Sequence, residues 1–225
     1  MTVAVPVIST GSPEPDRDCP LCPRLHDFIA EWRAKEPSWF NAPVPTFLPR
    51  QGEESVRLLV VGLGPGLRGA NRTGRPFTGD YAGDLLYQTL IRFGYARGHY
   101  QARPDDGLEL IGAAITNAVR CVPPGNKPTG PEISTCRSFL APTIARFPNL
   151  QAILSLGAIA HQSVVRALGK RVAAHPFKHG GRHDGAVALF SSYHCSRYNT
   201  NTGVLTEEMF VNVFAEITDF LKSSD

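Results

Sequence analysis

The sequence predicts an α/β fold with a mainly parallel, four-stranded central sheet, and three observations predict it. Four short apolar, mostly β-branched runs alternate with segments whose apolar residues recur at helical spacing, the pattern of strands joined by crossover helices. Hydrophobic residues make up 42% of the 225-residue chain, enough for a buried core. Twenty-one glycines and nineteen prolines sit mostly between the periodic segments and point to long, shaped loops on that scaffold.

The strands are expected at 56–61, 113–119, 152–156 and 187–191. Helices are expected around Leu85, Leu86, Leu90 and Phe93, then Ile133, Phe139, Leu140 and Ile144, then Ile159, Val164, Val165 and Leu168. A last helix runs from about 207 to 221, with Thr206 as its N-cap ahead of two carboxylates. Residues 1–55 read as an irregular arm with one helix, rich in proline (Pro37, Pro43, Pro45, Pro49), wrapped on a single domain that spans 1–225. No apolar run approaches the roughly 20 residues of a membrane helix. Residues 1–15 lack the basic start and apolar stretch of a secretory signal, so a cytoplasmic chain, a monomer with no membrane partner, is expected.

The formal net charge is only +3, but it is unevenly spread. Residues 56–103 carry seven Lys/Arg against two Asp/Glu, and residues 161–203 carry six against one plus five of the seven histidines. Brought together by the fold, these two segments would offer a polyanion one basic face; kept apart, they are solvated loops.

In such sheets chemistry gathers at the carboxyl ends of the strands. The first strand runs into Gly62-Leu63-Gly64-Pro65-Gly66 and then into a loop from Asn71 to Asp80. The second ends in Thr116-Asn117, and the fourth runs into a polar stretch from His194 to Gly203. Gly64-x-Gly66-x-x-Gly69 matches a dinucleotide fingerprint only as a string, because Asn71, Thr73, Gly74 and Pro76 prolong the loop where a helix should open. Cys19-x-x-Cys22 is a metal-type pair, and Cys121 and Cys136 lie far downstream. Four cysteines in a cytosolic chain favour a metal site over disulfides; spacing alone does not separate zinc from an iron–sulfur cluster, nor either from unrelated buried thiols.

Taken together these stretches resemble the uracil-DNA glycosylase superfamily, and within it the family 5 (type b) iron–sulfur branch of bacteria and archaea. The carrying residues are 62–66, Asn71 to Asp80, Thr116 to Cys121 and His194 to Gly203, in order across nearly the whole chain. The resemblance implies a three-layer α/β/α sandwich. It also implies a monofunctional enzyme of base-excision repair that flips uracil, or another deaminated base such as hypoxanthine, out of DNA. Water then cleaves the N-glycosidic bond, with no other small cosubstrate, and leaves an abasic site. Cys19, Cys22, Cys121 and Cys136 fall where that branch places the ligands of its 4Fe–4S cluster.

Cleavage leaves negative charge on the base and positive charge on the sugar, so the site needs donors toward the base and something anionic or wet near the sugar. By resemblance His194 donates to a base oxygen, Asn117 reads the Watson–Crick edge and Phe77 stacks on the base. Backbone at Gly62, Leu63, Gly64 and Gly66 lines the base pocket. Asp80 would place water or steady the sugar cation, although an Asp there also suits a helix N-cap. Other branches carry an acidic or amide side chain at the position of Leu63 to activate water, which Leu63 does not provide. Gly64 stands where alanine is common and Cys195 where proline or valine is usual, and both bear on pocket size. Arg68, Arg72, Arg75, Ser196, Arg197 and Asn199 are expected on DNA, with Tyr198 or a neighbour as the wedge. The competing expectations are a non-catalytic, metal-stapled nucleic-acid-binding module and a nucleotide-binding enzyme built on the Gly64 loop.

Overall fold

The computed structural model describes residues 11–223, so residues 1–10 of the expected arm, and with them most of the stretch read for a signal, lie outside the described residues. The strands are β1 (Leu58–Gly62), β2 (Ala96–Arg97), β3 (Glu109–Leu110), β4 (Ala113–Asn117), β5 (Ala152–Leu156), β6 (Gly181–His183) and β7 (Ala188–Ser192). The helices are α1 (Pro23–Lys35), α2 (Ala70–Thr73), α3 (Tyr81–Arg92), α4 (Gly130–Ala145), α5 (Ala158–Ala167), α6 (Arg197–Asn201) and α7 (Glu207–Ser223).

The four apolar runs become the parallel part of one sheet of order β4-β1-β5-β7-β6. Its fifth strand, β6, pairs antiparallel with β7 and was not foreseen, because Gly181, Arg182 and His183 carry no apolar pattern. The β2–β3 pair forms a separate antiparallel ribbon. Every residue of β1, β4, β5 and β7 is buried, as a sheet covered on both faces requires. Alternate side chains enter opposite layers. Leu58 and Val60 pack with Leu86 and Leu90 of α3 and Phe210 and Phe214 of α7. Leu59 and Val61 pack with Leu140 and Ile144 of α4 and Val164 and Val165 of α5. That alternation makes the molecule a three-layer sandwich.

Two helix starts follow their local chemistry. Thr129 and Glu132 form a reciprocal capping box at α4, and the Thr206 hydroxyl accepts the Met209 N–H at α7 (3.1 Å). The arm covers the outer edge of β4: Phe47 and Ile115 exchange two backbone hydrogen bonds (2.8 and 3.0 Å), which removes an open strand edge. Arg120, fully buried just past β4, ties the arm down by donating to Glu14 (2.8 Å), Thr46 Oγ1 (3.0 Å) and Thr143 Oγ1 (2.7 Å). Among the described residues no helix is long and apolar enough to cross a membrane.

Candidate functional site

The register of the sheet sets the centre of the site. Gly62, the last residue of β1, pairs with Asn117, the last residue of β4. A Cβ on Gly62 would lie 2.4 Å from both Asn117 Oδ1 and Phe77 Cζ, so the absent side chain is the room in which the Asn117 amide and the Phe77 ring meet. Asn117 is 3% exposed and lines a cavity of about 430 Å³ with Phe77 and His194. Leu63, Gly64 and Gly66 line the same cavity, as the sequence led us to expect.

Phe77 is held there against its backbone preference. Its φ is +57°, a left-handed conformation that costs a non-glycine residue about 1–2 kcal/mol. The loop around it offsets that cost with hydrogen bonds. The Tyr100 hydroxyl donates to Phe77 O (3.1 Å) and accepts the Gly79 N–H (3.3 Å), while the Tyr87 hydroxyl donates to Pro76 O (2.6 Å). Arg75 makes a two-pronged ion pair with Asp106 (2.8 and 2.7 Å) and lies over the rings of Phe47, Tyr87 and Tyr100. Arg75 was expected on DNA phosphates, and the structure corrects this. It is 5% exposed and spent on an internal carboxylate that arrives from a loop thirty-one residues away.

His194 follows β7 by two residues and stacks on Phe77, with ring centroids 5.9 Å apart at 26°. Burial pushes its pKa down to about 4, so the imidazole is neutral at neutral pH and one ring nitrogen carries a proton to donate. The chain after it is anchored by the Asn199 amide, which donates to His194 O (2.8 Å), and by Ser196, which caps α6. Asn199 and Ser196 therefore brace the His194 loop; Ser196 also lines the cavity.

Asp80 occupies the N-cap position of α3 yet makes no side-chain cap bond. Its carboxylate turns instead toward the glycine loop, where the N–H groups of Ala70 and Gly66 face it, while burial raises its pKa from the ordinary value. A Cβ on Gly66 or Gly69 would fall 2.5 and 2.0 Å from that carboxylate. The Gly64-x-Gly66-x-x-Gly69 string is thus explained by an internal carboxylate. Only the four residues of α2 follow it, and no dinucleotide-type helix opens at the loop. Gly64 differs from its neighbours: a Cβ there meets Val119 O at 3.4 Å and Pro123 Cδ at 3.9 Å, ordinary contacts.

Of the remaining DNA candidates, Arg197 lines the cavity mouth, its guanidinium 5.2 Å above the Tyr81 ring, and Tyr198 is 73% exposed. Arg68 and Arg72 are exposed beside Gly79 and Asp80. None of these three arginines joins an ion pair among the described residues. Other basic side chains of the two segments are neutralised internally, Arg97 by Glu109 and Arg182 by Asp184. Sequence reading missed four lining residues: Tyr81, Ala82, Pro123 and Asn126. Asn126 has a positive φ (+58°) in a Pro-Pro-Gly-Asn turn, and that turn signal was visible in the sequence without any hint that it bordered the cavity.

The cysteines approach one another from three parts of the chain. Cys22 caps the start of α1, Cys121 follows β4, and Cys136 lies in α4, buried with Leu25, Ile29 and Val119. Each of Cys22, Cys121 and Cys136 is close enough to Cys19 for like-charge repulsion to raise its pKa, on top of burial, which takes Cys136 to about 11. The Arg120 N–H donates to Cys136 Sγ (3.2 Å). All four are free thiols, and among the described residues no three ligand-type side chains are gathered to hold a single metal ion. Cys195 is apart from them, fully buried, with its thiol donating to Ala82 O (3.4 Å).

With this geometry in place, comparison with known proteins is decisive. The family model described as the uracil DNA glycosylase superfamily matches residues 49–218, a span that contains Gly62, Phe77, Asp80, Asn117 and His194. The chain belongs to the uracil-DNA glycosylase superfamily. Within that superfamily it is 42% identical to a type-5 uracil-DNA glycosylase of Thermus thermophilus, over 88% of this chain and 91% of the relative. It is 38% identical to a type-5 enzyme of Pyrobaculum aerophilum, over 87% and 86%. A type-4 uracil-DNA glycosylase of Pyrobaculum aerophilum is more distant, 29% identical over 68% and 70%. This member of the superfamily therefore sides with the type-5 branch.

Proposed function

We propose that the chain excises uracil from DNA by hydrolysing the bond between the base and C1′ of deoxyribose, the first step of base-excision repair. One observation carries the reading. Asn117, Phe77 and His194 converge on one cavity at the carboxyl ends of parallel strands, in a protein that also exposes Arg68, Arg72 and Arg197.

The Asn117 amide presents a donor and an acceptor to the edge of the flipped base, and Phe77 supports its face. As the glycosidic bond breaks, its electron pair moves into the base, and the neutral His194 N–H donates to the oxygen where that charge collects. Water adds to C1′, and the proton it loses passes through solvent to the departed base, which leaves as the neutral free base. Asp80 is the one carboxylate among the described residues lining the cavity, and in its ionised form it steadies the cationic sugar. Leu63 is apolar and takes no part in proton transfer. Among the described residues no lysine lines the cavity, and the reaction proposed is hydrolysis alone. Arg197, Arg68 and Arg72 hold phosphates, and exposed Tyr198 fills the gap in the stack. The methyl-sized space at Gly64 lets the pocket accept hypoxanthine as well.

Cys19, Cys22, Cys121 and Cys136 are proposed to hold a 4Fe–4S cluster. The fit rests on four free thiols within electrostatic reach of one another and on the Arg120 N–H aimed at a sulfur. A cluster held by these four residues, none of which lines the cavity, would pin α1 and the arm to the sheet and serve a structural role.

The test is incubation of the purified protein with duplexes carrying one uracil, one hypoxanthine or no damage, reading free base and alkali-labile sites. Release of uracil with an intact strand before alkali supports the reading. Tight, salt-sensitive binding without release of any base would overturn it in favour of a non-catalytic DNA-binding module.

A further inference from the structure

Beyond the cavity, the molecule has a second feature suited to nucleic acid. Two open depressions of about 420 and 440 Å³ adjoin each other, and both are lined by Trp39 and Arg72. The first adds Phe40 and Arg103, the second Arg68, Trp32 and Gly79. Gly79 precedes Asp80 of the cavity wall, and Arg72, which lines both depressions, is near enough to Asp80 to favour its ionised form, so the depressions lie beside the base pocket.

Specific contacts build this surface. Residues 39–41 run against α2, with the Phe40 N–H donating to Arg72 O (3.0 Å) and the Asn41 N–H to Asn71 O (3.0 Å). The Trp39 ring lies parallel to Trp32, with centroids 5.4 Å apart at 6°. The Trp32 indole N–H is enclosed without an acceptor among the described residues. Arg103 is presented by a turn in which Ala102 has a φ of +57°. That turn is fixed by Asp106, which accepts the N–H groups of Gln101 (3.0 Å) and Leu108 (3.1 Å) while pairing with Arg75 of the Phe77 loop. Glu36 also lines the second depression, Arg103 faces Asp105 at 3.6 Å and Arg72 lies within electrostatic reach of Asp80, but neither Arg68 nor Arg72 makes an ion pair among the described residues. Positive charge interleaved with aromatic rings is the chemistry of a surface that tracks a single nucleic-acid strand, rings taking bases and guanidinium groups taking phosphates.

We propose that this face is a strand-binding extension of the site. A nucleotide flanking the flipped one rests on the Trp39 surface while Arg68, Arg72 and Arg103 hold the phosphates that lead to it. The extension rests on reading the cavity as the base pocket. It makes excision depend on the length of strand on one side of the damaged base. Asp106 bonds both Arg75, two residues before Phe77, and the Gln101 N–H, two residues before Arg103, and so ties the loop of the extension to the loop of the pocket.

The chain has two tryptophans, and both lie on this face, so their emission reports on it directly. The experiment titrates the full chain with an undamaged single strand of about a dozen nucleotides, within the site size of such surfaces. Saturable quenching is expected, weakening as salt rises. Arg103→Gln, an exposed change, and Trp39→Phe, which keeps a ring, should each weaken affinity roughly ten-fold. Each should also bring the ratio of uracil excision on long and short oligonucleotides close to one. Binding seen by anisotropy with no change in tryptophan emission, or affinities and length ratios within two-fold of the parent in both variants, would overturn the extension. No release of uracil by the parent protein from any substrate, long or short, would instead count against the base-pocket reading, so the two failures are distinguishable.

Discussion

Gly62→Ala isolates the geometry on which the site depends. The new methyl would lie 2.4 Å from Asn117 Oδ1 and from Phe77 Cζ, where unstrained contacts are about 3.5 Å. One or both side chains must retreat by about 1 Å, and misplacement of that size costs on the order of 10²-fold in rate, or about 2.7 kcal/mol in the barrier. The overpacked sheet end should lose about 1–3 kcal/mol of stability as well. Gly64→Ala, two residues away, is the matched control, because its methyl meets only ordinary contacts at 3.4 Å or more. The assay is single-turnover uracil release with enzyme in excess, alongside thermal unfolding of both variants. Gly62→Ala should be folded and slower by about two orders of magnitude, with Gly64→Ala near parental on uracil. Parental rates in Gly62→Ala would refute the claim that Asn117 and Phe77 meet over an empty Cβ position.

Further expectations concern titration, the Phe77 loop and the cluster. Folding lowers the His194 pKa from about 6.5 to about 4, so stability from the uncharged ring is full above about 6.5 and is lost as pH falls toward 4. The acid limb of excision should therefore lie well below 6.5; a His194 ring resonance that titrates near 6.5 in the folded protein would contradict this. Asp106→Asn leaves Arg75 buried without its counter-charge and should cost roughly 3–5 kcal/mol, lowering Tm by roughly 10 °C and slowing excision through the Phe77 loop. Asp106 has its pKa held at about 2 by Arg75 and by two backbone N–H groups, so its contribution is present above about 3.8 and lost as pH falls toward 2. The protein as isolated should be brown and carry about four irons per chain, and Cys136→Ala should lose the colour and lower Tm; a colourless protein with one zinc would overturn the cluster.

How much was legible in the sequence follows from the range of each interaction. β1, β4, β5 and β7 were readable within one or two residues because a strand buried on both faces must be apolar throughout. β6 was not readable, since an edge strand of Gly181, Arg182 and His183 takes its conformation from β7. Asn117 and His194 were placed correctly relative to the sheet because strand ends converge by topology. Arg75 was misread because its partner Asp106 is distant in sequence, and exposure of a charged side chain is the default without knowledge of that partner. The helix cap offered as an alternative role for Asp80 is not made, because the N–H groups that face its carboxylate, those of Ala70 and Gly66, lie ten and fourteen residues upstream and were not predictable locally. Asn126 was invisible as a site residue, since nothing local tells a turn that borders a cavity from one that borders solvent.

The account's central claim is that Asn117 and His194 act on a base that DNA delivers to the cavity. The most direct measurement is single-turnover uracil release by Asn117→Ala/His194→Ala beside the parent, with binding to the same duplex measured in both. The account predicts uracil release by the parent, and in the double variant loss of release with DNA affinity retained, since Arg68, Arg72 and Arg197 are untouched. Uracil release by the double variant at the parental rate would contradict it.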